Sequence, residues 1–208
     1  METVHTKKGF TLIETVVAMG IVMIVAVLFM RFSRDVTDST VRFSGSLLTQ
    51  QQLNVTMQVM LPEIRSASQG NDGSFPIAHA ATSSFQFYSD IDRDGLFDRV
   101  RYYLNGTTFV KGVIEPTGSP LAYVTSTETF QDVVYNVVPG SQLFSYYDKA
   151  ATSTASTPLS QPVDVSRVKA VRITLVANQG TSSTPSLTGV ETSATIRNLR
   201  YKEYGQGN

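Results

Sequence analysis

Lys7-Lys8-Gly9-Phe10-Thr11-Leu12-Ile13-Glu14 opens a run that stays apolar as far as Met30. Between Phe10 and Met30 only Thr11, Glu14, Thr15 and Gly20 interrupt it, and Glu14 is the single charge between Lys8 and Arg31. As an α-helix the run is about 31 Å long at ~1.5 Å per residue, enough to cross a hydrocarbon core of about 30 Å. A carboxylate inside such a span costs about 2.5–3.5 kcal/mol on insertion scales, so it is normally there for a partner or a function.

Three readings compete. A secretory signal ends in a small-residue cleavage site, and Met30-Arg31-Phe32-Ser33-Arg34 is a poor one. A plain membrane anchor accounts for the length and the lysines but leaves Glu14 without a reason. Cleavage after Gly9 accounts for both, because it frees an α-amine on Phe10, four residues before Glu14. In an assembly the amine of one chain could then neutralise the Glu14 carboxylate of its neighbour, and a buried charge is tolerated when it is paired. Lys7 and Lys8 place the leader in the cytoplasm and the rest outside by the positive-inside rule. Arg31 and Arg34, on the far side, weaken that assignment slightly.

Lys8-Gly9-Phe10-Thr11-Leu12-Ile13-Glu14 and the apolar run behind it resemble the N-terminus of type IV prepilins and type II secretion pseudopilins. The resemblance implies that prepilin peptidase cuts between Gly9 and Phe10 and N-methylates Phe10. It makes Lys7 and Lys8 the basic part of the leader, and Glu14, with the Phe10 amine, the charge pair that guides filament packing. It implies other pilins or pseudopilins as partners through the N-terminal helix. The chain would be a single-pass protein of the cytoplasmic (inner) membrane, later part of an extracellular or periplasmic filament.

Composition narrows the rest. The chain has 208 residues, enough after the anchor for one globular domain. Without Glu2, Lys7 and Lys8 there remain 15 basic and 16 acidic residues, a net charge of −1. That offers no electrostatic case for nucleic acid. The absence of cysteine rules out a disulfide, a thiolate metal site and a cysteine nucleophile.

Beyond the span, Arg31 to Ser46 is polar and free of proline. Leu53, Met57, Met60, Leu61 and Ile64 then recur at helical spacing. Together these predict one helix from about Phe10 to about Ser66, with a kink or a fresh helical turn at Pro62. The remainder reads as strands: Ser84–Tyr88, Val100–Leu104, Thr107–Ile114, Leu143–Tyr147, Val168–Ala177 and Val190–Tyr201. Asn105-Gly106 is a two-residue hairpin signal. Asp132–Val138 fits either a short helix or a strand. Lys149–Pro162 and Asn178–Gly189 read as loops rich in Ser and Thr.

The predicted fold class is α+β: a long N-terminal helix packed on an antiparallel sheet, the layout of pilin-like proteins. The expected divisions are leader 1–9, transmembrane helix 10–31, amphipathic helix 32–67 and extracytoplasmic sheet domain 68–208. Several stretches resemble the J-type pseudopilins and W-type minor pilins. Leu61-Pro62-Glu63-Ile64-Arg65-Ser66-Ala67 is similar to their helix end and Val100–Leu104 to their central strand. Leu143–Asp148 is similar to their aromatic strand, and Val168–Leu175 with Thr195–Asn198 to their closing strands. Those proteins often carry an arginine after the second hairpin strand; here the nearest basic residue is Lys111.

One further cluster carries chemistry. Asp90, Asp92 and Asp94 alternate, Gly95 follows and Asp98 comes three residues later, like the front of a calcium loop. Arg101 stands where an EF-hand has its bidentate glutamate, and the flanks read as strands, both of which argue against an EF-hand. A Ca²⁺-binding β-loop and a plain polar turn both remain open. No enzyme signature is present: His79 is the lone histidine after the leader and reads as a loop or core residue, and neither Gly-x-Ser-x-Gly nor a phosphate loop occurs. Tyr102, Tyr103, Tyr146 and Tyr147 sit at strand spacing and read as sheet packing. The function that the resemblance implies is a non-catalytic minor pilin or pseudopilin, at or near a filament tip as in the J- and W-type families. The alternatives are a membrane-anchored, calcium-dependent surface binding or adhesion module and a major pilin.

Overall fold

The structure, a computed structural model, describes residues 11–149, 157–179 and 186–200, and the side chains of all of these except 35–46 and 200. The chain divides into two compact units, residues 1–44 and 45–208. Helix α1 (Leu12–Arg65) contributes its first part to one and its second part to the other.

In the first unit, Thr11 stands just before the helix and accepts the backbone N–H of Glu14 on Oγ1 at 3.4 Å. Thr11-Leu12-Ile13-Glu14 is thus the Thr-x-x-Glu pattern of a capping box. Glu14 in the first turn also faces the positive end of the helix dipole. The stretch Leu12–Arg34 is long and apolar enough to cross a membrane, and none of it is covered by the protein. Leu12, Ile13, Met19, Met23 and Phe29 are all more than two-thirds exposed. An apolar surface of that extent is not stable against water and calls for lipid or other helices.

In the second unit, α1 turns Leu53, Met57, Met60 and Ile64 inward, all buried, at spacings of four, three and four. Leu61 is only partly buried at the rim. Pro62 starts no separate helix, since α1 runs through it to Arg65. Lying in the last turn, it gives up its bond to the carbonyl of Gln58 and crowds that carbonyl with its ring, without ending the helix there. Ser66 closes the helix, its N–H donating to the Pro62 carbonyl at 2.9 Å and its hydroxyl meeting Ser89 Oγ at 2.9 Å.

A five-stranded antiparallel meander comes next, in the order β1 (Ile77–Ala80), β2 (Ser84–Ser89), β3 (Asp98–Asn105), β4 (Thr108–Ile114), β5 (Thr129–Val134). A second sheet holds β6 (Phe144–Tyr147), β7 (Ala170–Asn178) and β8 (Leu187–Thr195). The single sheet expected from sequence is therefore two. Asp132–Val138 resolves as the end of β5 followed by a bridge from Val137 to Ala177, which ties the sheets together. The predicted last strand stops at Thr195, and Arg197–Arg200 forms a short helix α2; Tyr201 lies outside the described residues. Residues 150–156 and 180–185 of the two predicted loops also lie outside them, and β8 takes up the end of the second.

An aromatic cluster joins the layers. Phe85 packs on Phe87 at 5.1 Å between ring centroids, on Tyr146 at 5.6 Å and on Phe144 at 5.8 Å. Tyr102 stacks on Phe109 at 5.7 Å. Tyr102 and Tyr146 are buried, as strand spacing suggested, and Tyr146 donates to the Ala81 carbonyl at 2.8 Å. Glu63 near the end of α1 accepts from Lys111 Nζ at 2.5 Å and from the Tyr102 hydroxyl at 2.7 Å. Lys111, the nearest basic residue to the missing arginine, thus fastens helix to sheet with little exposure to water.

Candidate functional site

Two places carry chemistry. At the first, the structure shows Glu14 exposed at N3 of α1, beside Ile13, Val17, Ala18 and Ile21. Lys7, Lys8, Gly9 and Phe10 lie outside the described residues. The cap bond uses the backbone N–H of Glu14; its carboxylate adds a negative charge to the first turn, a local role that the membrane argument overlooked and that the Thr11-x-x-Glu14 spacing signals.

The second is the loop between β2 and β3. Asp90 Oδ1 accepts the Arg93 N–H at 2.6 Å and Oδ2 that of Gly95 at 3.3 Å. Asp92 Oδ1 accepts from Asp94 N at 3.2 Å, and Asp94 Oδ1 from Leu96 N at 2.7 Å. These nested turns need left-handed backbone at Arg93 (φ 67°) and Gly95 (φ 89°). They gather one carboxylate oxygen each from Asp90, Asp92 and Asp94 within 4.8 Å of one another. Among the described residues, Oδ2 of Asp92 and Oδ2 of Asp94 accept no hydrogen bond, and both side chains are exposed.

Asp98 stands apart from that group. It is buried at the start of β3 and is pushed up to about 6, first by loss of water and then by the charges of Asp92, Asp94 and Glu115, while an N–H from Ile91 opposes the shift. Glu115 escaped the sequence reading. The β3–β4 register, with Arg99 opposite Ile114, sets it across from Asp98; counting back from an Asn105-Gly106 turn would have set Val113 there instead, so the sequence held no signal for it. Arg101, at the position of an EF-hand glutamate, is committed elsewhere, donating from Nε and Nη2 to Glu128 at 3.0 and 2.9 Å. The loop's rear is held by Tyr123, whose hydroxyl donates to the Phe97 carbonyl at 2.5 Å, and by Asn71 Oδ1, which accepts the Phe97 N–H at 2.7 Å. His79 is exposed on β1, an edge strand, and so is not a core residue.

Comparison with known proteins bears on the first place only. Residues 5–30 match the family model of the prokaryotic N-terminal methylation motif. The chain thus carries the motif of type IV prepilin-like proteins, and it covers the whole of Lys7 to Glu14 and the apolar run to Met30. No curated protein matches the chain.

Proposed function

We propose that this chain is a structural subunit of a type IV pilus or type II secretion-like filament, cut after Gly9 and N-methylated on Phe10 by prepilin peptidase. The observation that carries the reading is the methylation motif over residues 5–30. The uncovered Leu12–Arg34 helix supports it, because a span with a charge at its head fits a bundle of like helices better than lipid alone. Its partners are then other pilins or pseudopilins, and Glu14 receives the Phe10 amine of a neighbour. A minor subunit near the tip is the finer form of the proposal, supported by the size of the domain and the order of its J- and W-like stretches. In a bacterium that has prepilin peptidase, the chain should appear in filaments sheared from the cell surface or overproduced in the periplasm. Retention in the membrane fraction alone, with the peptidase active, would count against a filament role.

A second reading adds calcium. Oxygen donors gathered at Asp90, Asp92 and Asp94, with ionisation of Asp98 opposed by its acidic neighbours, suit a hard dication. The whole protein would then work as a calcium-dependent binding module on a pilin-like anchor. The sign of the pH effect follows from Asp98. Its folded value of about 6 lies above an unfolded value of about 3.9, so the folded state binds the extra proton and stability falls as pH rises from about 4 to about 6. Melting curves of the detergent-solubilised chain should show this slope, and Asp98→Asn should flatten it. At pH 7 millimolar Ca²⁺ should raise Tm by several degrees, since a ligand at 100 times its Kd adds about 2.7 kcal/mol. An unchanged Tm in millimolar Ca²⁺ would leave the loop as a polar turn.

A further inference from the structure

We draw no further inference here: the strongest candidate, the apolar groove between the Leu48, Val55 and Val59 face of α1 and the outer edge of β5, carries none because nothing in the structure shows what covers it.

Discussion

Glu14→Ala should leave the chain inserted in the membrane and absent from filaments. Removing the carboxylate takes away the roughly 2.5–3.5 kcal/mol that opposes insertion, so the membrane fraction should hold as much protein as before or more. What disappears, on the proposed filament reading, is the acceptor for a neighbour's Phe10 amine. The amine is then left without its counter-charge in an apolar bundle, a loss of about 3–5 kcal/mol when one partner of a buried pair is removed. That corresponds to a fall in assembly of about two to four orders of magnitude. The Glu14 charge also lies in the first turn of α1, where the helix dipole favours it by about 0.3–1 kcal/mol, so alanine loses that as well while keeping the backbone N–H that Thr11 caps. Glu14→Gln keeps the size and hydrogen-bonding capacity of the side chain and removes only the charge. Glutamine serves at N3 of a capping box but carries no charge. Both variants should fail in a sheared-filament assay while both insert. Normal assembly of Glu14→Gln would reduce Glu14 to a cap.

Phe85→Ala should destabilise the β-domain by about 3–5 kcal/mol, the usual range for removing a buried phenyl ring. Phe85 is fully buried and touches the rings of Phe87 in its own strand and of Phe144 and Tyr146 in the second sheet, so the cavity opens where the two sheets meet. Domains of this kind have only about 5–15 kcal/mol of stability in total, and no disulfide limits the unfolded chain here. The unfolding midpoint in urea should drop sharply, with Phe85→Leu falling between the variant and the parent. A loss under about 1 kcal/mol would mean that the aromatic cluster does not join the sheets.

The helix was the most legible part of the fold because several local signals agree along it. Thr11 caps it, the apolar run fills its first part, and Leu53, Met57, Met60 and Ile64 repeat at helical spacing. The hairpin was legible to within one residue. Its two central residues are Gly106 and Thr107, with Asn105 already paired to Thr108, where the sequence had suggested Asn105-Gly106. Gly106 at φ 62° is the glycine-first pattern of a type II′ turn. This register puts Tyr102 opposite Lys111, and a slip of one residue would turn the buried Tyr102 and Phe109 to the other face. Strand β1 was not legible, since Ile77-Ala78-His79-Ala80 has too few strand-forming residues and is held by its pairing with β2. The end of the chain misled because Ile196 and Leu199, both buried, fit strand and helix alike over so short a stretch. Asp90, Asp92 and Asp94 could be read from their spacing alone. The burial of Asp98 and the nearness of Glu115 depend on strand register, which no local motif encodes.

Everything proposed for the N-terminus rests on one covalent event between Gly9 and Phe10. Intact-mass spectrometry of the chain, isolated from a bacterium that expresses prepilin peptidase, reads that event directly. The expected species begins at Phe10 and carries a single added methyl group on its α-nitrogen. A chain that still begins at Met1 in the presence of active peptidase, or one cut beyond Met30, would contradict it.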